Sequence, residues 1–456
     1  MSISLGSVAA IILVMVLALG GCTSKPDKPA EKKAPGVTVE LLPLPVVTPP
    51  ILAVPPPILE KLPPVMLGID VLEANKFAAI AGKKIGLLTH PAGVNRRGES
   101  TIDVIRRAPN VKLVALFAPE HGLWGTDKAG DNFVDTIDQR TGLPVYSLHG
   151  KTRKPTKAML KGLDALVIDL QDIGTRSYTF ISCLRLTMEA CFENGVEVIV
   201  LDRPNPLGGL KVDGPPLDAE YVSYVGSFRI PYVHGLTIGE LARLAKEAPG
   251  VMGVPDKVRL KGRLTVIPMR GWTRSMRWSE TGLKWIPTSP FVQDFSAVMG
   301  YAMTGLGTEI GGFTWGIGIN HAFRGIGYPK KTPDEIIKEL DQYKIPGIKL
   351  IKAQGIAKDG KIITGVYVDV VDYDAWRPTE LSFYMMKTAV KWSVTNPFVF
   401  APADRASMFN KLVGSRAWWN AIRTQGARVD VASFLANWQT RDAIYQQQSK
   451  KYWLYQ

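Results

Sequence analysis

Cysteine and histidine are scarce in this chain, and several familiar signatures are missing. Three cysteines in 456 residues exclude a disulfide framework. Two of them, Cys183 and Cys191, stand eight apart on an expected helix, roughly 12 Å along its axis and too far to bridge, so they read as buried thiols. The five histidines show no metal-ligand spacing; a set such as His90 and His121 with Asp172 or Asp202 matches no metal motif, so no metal is assigned. Without a Gly-x-Ser-x-Gly elbow, a serine hydrolase of that type is disfavoured. No glycine-rich phosphate loop follows the first strand, which argues against a nucleotide enzyme, and no cofactor is implied. The net charge is +14, yet lysine and arginine are scattered, with no basic block and no zinc or RNA-binding signature. Nucleic acid is therefore not the expected partner, whereas an anionic polysaccharide or lipid surface fits.

The chain opens on an apolar stretch, Ile11 to Leu19, of signal-peptide length and too short for a membrane span. It runs into Leu19-Gly20-Gly21-Cys22, which resembles a bacterial lipobox, although Met1 to Ser7 carry no lysine or arginine. The expectation is a signal peptide over 1–22, lipidation at Cys22 and a periplasmic protein anchored to a membrane. Thr23 stands where an aspartate would favour inner-membrane retention, so the outer membrane is expected. An ordinary cleaved signal peptide is the alternative. Residues 23–64 are proline-rich, ending TPPILAVPPPILEKLPP, and read as a polyproline II tether.

From about Leu67, strand and helix patterns alternate. Strands are expected at Lys84–Thr89, Val111–Ala118, Val145–Leu148, Ala165–Leu170 and Val196–Leu201. Helices are expected at Ser100–Ala108, Thr156–Gly162 and Thr179–Glu193, and Thr237 with Glu240 forms a capping box opening another. This order predicts an α/β domain with a parallel sheet over 65–260. Beyond it, strands at Leu264–Met269, Ile348–Ala353 and Ile362–Val371 mix with helices at Phe291–Met303, Pro333–Tyr343, Leu381–Trp392 and Val431–Tyr445. A smaller α+β domain is expected over 261–456.

Polar clusters recur where strands end. Val111–Ala118 stops at Pro119 and delivers Glu120 and His121; the first strand delivers His90; the strand ending at Leu170 leads to Asp172, Arg176 and Tyr178; the strand ending at Leu201 leads to Asp202, Arg203 and Asn205. In an open parallel sheet such ends share one rim, where ligands bind. Carboxylates flanked by Arg, Asn, Tyr and Trp suit carbohydrate chemistry, in which an acid protonates the leaving oxygen and a second group serves as nucleophile or base. Glu120, beside Leu123 and Trp124, is the candidate acid. Each of the others has a scaffold alternative. Asp169 could cap a helix, Arg176 could neutralise Asp172, Asp202 and Arg203 could lock a turn, and His234 could be a turn residue. His149 is given no role.

Five motifs in order, PEHGLWG (119–125), SLHG (147–150), DLQDIGTRSYTF (169–180), LDRPNPLGG (201–209) and HGLTIGELA (234–242), resemble the bacterial exo-β-N-acetylmuramidases of the NamZ type. The resemblance runs from about Leu67 to Gln456. It implies a Rossmann-like catalytic domain with a smaller C-terminal domain, and release of terminal N-acetylmuramic acid from the non-reducing end of peptidoglycan fragments. It places general acid/base work on Glu120 and sugar positioning on Asp169, Asp172, Asp202 and Asn205. By their place at the strand ends, Asp172 is also the candidate second catalytic carboxylate, and His90, His121, Tyr178, Arg203 and His234 are candidate sugar-binding residues. From its charge, Arg176 is expected to pair with the lactyl carboxylate of muramic acid. One stretch departs from the family pattern: near Gly305–Tyr328 the usual Glu-Gly-Thr-Asn and Gly-Arg-Gly-Thr give way to a sequence with Glu309 where Asn is usual. The rival reading is a catalytically silent peptidoglycan-binding lipoprotein on the same scaffold; a metal-dependent wall hydrolase is a third.

Overall fold

Seven strands form one twisted sheet in the computed structural model, which describes residues 64–125, 134–307 and 309–456. All described residues lie in one unit that begins at Leu62. The expected signal peptide, Cys22 and the tether fall outside the described residues, apart from Pro64.

The strands, in chain order, are β1 (Lys84–Thr89), β2 (Lys112–Ala118), β3 (Thr136–Ile137), β4 (Pro144–Ser147), β5 (Ala165–Asp169) and β6 (Glu197–Leu201). A short antiparallel ribbon follows, β7 (Val212–Asp213) with β8 (Val233–His234), and then β9 (Leu264–Ile267). The sheet order is β3-β4-β2-β1-β5-β6-β9, parallel except for the β3 edge. β9 therefore lies in the same sheet although it follows residue 260, the boundary expected for the α/β domain.

Apolar residues occupy both faces of the strands, as a sheet covered on both sides requires. Leu166 and Ile168 pack into one cluster, Ala165 and Val167 into the other. One face carries α1 (Gly68–Ala74) and α2 (Thr101–Arg106); the other carries α3 (Thr179–Glu193), α4 (Ile238–Glu247) and α5 (Asp256–Lys261). α4 starts as the capping box predicts: the Thr237 hydroxyl accepts the Glu240 N–H, and Glu240 returns the bond to the Thr237 N–H at 3.0 Å. Cys183 and Cys191 are buried free thiols on α3. The helix expected over 156–162 is instead a run of turns, because its bonds mix i→i−4 (Leu160 to Thr156) with i→i−3 (Lys161 to Ala158).

The C-terminal part is α+β. Helices α6 (Phe295–Thr304), α7 (Pro333–Asp341), α8 (Glu380–Trp392), α9 (Ala403–Val413), α10 (Arg416–Gln425) and α11 (Val431–Ser449) surround small antiparallel sheets. These are β10 (Gly316–Ile317) with β11 (His321–Ala322), and β12 (Gly325–Ile326) with β13 (Ile348–Ile356) and β14 (Ile362–Val370). Buried residues of α6, α8 and α11 join the same apolar cluster as α3 and α4, so the two parts share one core.

Candidate active site

The chain passes from β1 outward to β2 and β4, then returns to the other side of β1 for β5 and β6. The strand order reverses beside β1, and the crevice at such a reversal is where open α/β sheets hold ligands. The loops leaving β1, β2, β4 and β5 carry His90, Glu120, His149 and Asp172 to this rim.

Pro119 ends β2, and the next residues turn sharply: the Gly122 N–H bonds back to the Pro119 carbonyl at 3.1 Å, with His121 held at φ 73°. A non-glycine residue in the left-handed region is uncommon and gathers at functional sites. The turn presents Glu120, whose Oε2 accepts the Thr179 hydroxyl at 2.6 Å and whose Oε1 lies 3.5 Å from His149 Nε2. Burial and the Arg153 charge lower the His149 pKa while Glu120 raises it, and burial prevails, so this imidazole is neutral at pH 7. His90 is also held neutral, chiefly by burial and then by Arg203 and His121; its Nε2 accepts the Gln171 N–H at 2.9 Å.

In the loop after β5, Asp172 Oδ2 accepts the Gly174 N–H at 2.8 Å and lies 3.2 Å from His234 Nε2. His234 Nδ1 accepts the Leu236 N–H, so Nε2 bears the proton and donates to Asp172. Gly174 allows this loop: its φ is +82°, and a Cβ there would meet Asn205 Oδ1 at 2.5 Å. Asp172 Oδ1 is buried with no hydrogen-bond partner among the described residues. Tyr301 on α6 has its hydroxyl 3.2 Å from Ser177 Oγ, which donates to Tyr232 at 2.9 Å. Burial raises the Tyr301 phenol to about 12, and the charges of Glu309, Glu120 and Asp172 add to that rise. Glu309 is itself pushed up to about 7 by burial.

Other expected ligands are committed elsewhere. Arg176 is fully buried; its terminal nitrogens donate to the carbonyls of Pro215, Ile230, Leu412 and Val413 at 2.6–3.0 Å. No terminal N–H remains for a lactyl carboxylate, and no Arg176–Asp172 ion pair forms. Asp169 and Arg203 close a buried bidentate pair (2.5 and 2.8 Å). Asp202 accepts the Thr237 hydroxyl, the Gly239 N–H and the Tyr455 hydroxyl, fixing the start of α4 and the chain's end; burial pushes it up to about 7. Asn205 braces its own turn through Leu207 N–H and Leu236 O, and the Tyr178 hydroxyl is spent on Thr288. Trp124, next to Glu120 in the sequence, is 47% exposed, with the Arg140 guanidinium over its ring.

The structure thus brings together Glu120, His121, His90, Asp172 and His234. Sequence reasoning passed over His149, although it follows a strand end as the others do. Among the described residues no group of three or more His, Cys, Asp or Glu could hold a metal ion.

Comparisons with known proteins agree along the chain. The N-terminal model of "Exo-beta-N-acetylmuramidase NamZ" matches residues 85–296 and the C-terminal model residues 299–455. A protein of Bacillus subtilis (strain 168), "Peptidoglycan beta-N-acetylmuramidase NamZ", is 40% identical over 327 residues, 70% of this chain and 76% of that protein. Two crystal structures of DUF1343 family proteins from Bacteroides fragilis NCTC 9343 are similar. One has a TM-score of 0.76 at 37% identity, the other 0.65 at 26%; both comparisons cover 86% of this chain and 99% of the other.

Proposed function

Because the chain belongs to the NamZ family of exo-β-N-acetylmuramidases, we propose that it hydrolyses the bond between a terminal N-acetylmuramic acid and the rest of a peptidoglycan fragment, with Glu120 as general acid/base. The observation that carries the assignment is Glu120 at the rim, one carboxylate oxygen tied to Thr179 and the other facing a neutral His149. Glu120 gives its proton to the leaving oxygen as the bond to the anomeric carbon breaks. Water then adds to that carbon, and its proton restores Glu120. Asp172, oriented by His234 and Gly174, supplies negative charge toward the positive charge that develops on the sugar.

The leader supports a further reading: Cys22 is the lipidated residue, the protein faces the periplasm at the outer membrane, and residues 23–64 let the folded unit stand off from it. Cys22→Ala should release the protein from membrane fractions; continued membrane association would refute the anchor. The hydrolase reading is tested with a chromogenic β-N-acetylmuramic acid glycoside. Release of the chromophore is expected, and binding without release would leave a peptidoglycan-binding protein on this scaffold. Release should survive EDTA; its loss on chelation would favour the metal-dependent reading.

A further inference from the structure

The muramidase reading needs a receptor for the anionic lactyl group, and three buried arginines that follow the strand ends in sequence are already committed. Arg176 is saturated by carbonyls, Arg203 is paired with Asp169, and Arg274 with Glu240 at 2.6 Å. Arg153 differs. It lies in the loop after β4 and is exposed, and among the described residues no carboxylate pairs with it. Its guanidinium carbon stands 4.2 Å over the Tyr224 ring; that ring centroid is 5.9 Å from His149, whose Nε2 is the atom facing Glu120. The guanidinium charge reaches His149. The ring supports the guanidinium, whose N–H groups make no hydrogen bond among the described residues and are free for a carboxylate.

We infer that Arg153 receives the lactyl carboxylate of the terminal muramic acid, making it the residue that selects this sugar by its charge. The inference rests on the muramidase reading. Tyr224 is its platform, and His149 spans the gap between charge recognition and the Glu120 acid.

The test uses the full chain and two chromogenic glycosides, one of N-acetylmuramic acid and one with its lactyl carboxylate converted to the neutral carboxamide. Wild type should prefer the acid. Arg153→Gln should lower kcat/KM for the acid by roughly 10- to 100-fold, the range for a lost hydrogen bond to a charged group, mainly through KM. It should leave the carboxamide rate within about twofold. Arg153→Lys should recover part of the preference, since it keeps charge without the fork. Added salt should weaken the wild-type preference more than that of Arg153→Gln. Equal loss on both substrates, or no loss on either, overturns the inference. Calorimetric binding of free N-acetylmuramic acid separates the two readings. Binding that depends on Arg153 without turnover would sink the hydrolase alone, whereas turnover indifferent to Arg153 would sink this inference alone.

Discussion

Replacing Arg176 should damage stability rather than substrate selection. The guanidinium is fully buried, and burial lowers it to about 10, so it remains charged at neutral pH. Its Nη1 holds the carbonyls of Pro215 and Ile230, which flank the β7–β8 ribbon, and its Nη2 holds Leu412 and Val413 at the end of α9. Arg176→Ala leaves four acceptors without donors, and at about 1 kcal/mol each, the low end for such groups, the loss is about 4 kcal/mol. With an unfolding entropy of about 2.1 cal/mol/K per residue, the unit from Leu62 onward should melt about 5 °C lower. One ammonium cannot reach both carbonyl pairs, so Arg176→Lys should lose about half as much. Calorimetry gives Tm, and rates per folded molecule on the acid and carboxamide glycosides give selectivity. The reasoning fails if Arg176→Lys melts with wild type yet loses its preference for the acid, since that would make Arg176 the carboxylate receptor.

Asp172→Asn keeps the shape and removes the charge proposed to face the developing positive charge, so kcat/KM should fall by about 10², the lower range for a lost electrostatic stabiliser; a rate within a few-fold of wild type would remove Asp172 from the reaction. Asp442 on α11 has both carboxylate oxygens buried, and burial, reinforced by Asp213, outweighs the Gly214 N–H and the charges of Arg377 and Arg441 and raises it from 3.8 to about 8. The folded state holds that proton longer than the unfolded chain, so this contribution to stability is fully present below the unfolded value and is lost as pH rises through about 8. Tm should therefore decline between about pH 5 and about pH 9, and Asp442→Asn should melt higher than wild type at the alkaline end. An unchanged difference in Tm across that interval would contradict the assignment.

The architecture was legible because its signals are local. Apolar runs bounded by turns mark β1 and β5, and α3 carries a continuous apolar face from Thr179 to Glu193. The rim was legible because a parallel sheet sends every carboxyl end to one edge. What stayed hidden is the direction each loop side chain takes. Asp172 and Asp202 both sit just past strand ends, yet Asp202 is consumed by Thr237, Gly239 and the distant Tyr455, whereas Asp172 keeps one oxygen unpartnered. Arg176 turns inward because of carbonyls at Leu412 and Val413, more than 200 residues later, and no local pattern announces such a contact. His149 became visible only once β4 paired with β2, which sets the two strand ends side by side.

The role of Glu120 is tested most directly by Glu120→Gln, which preserves the acceptor for the Thr179 hydroxyl and removes the titrating proton. Turnover of the chromogenic N-acetylmuramic acid glycoside should fall by at least about 10² with Tm little changed. A folded Glu120→Gln protein that works within a few-fold of wild type would contradict the assignment of Glu120 as the acid.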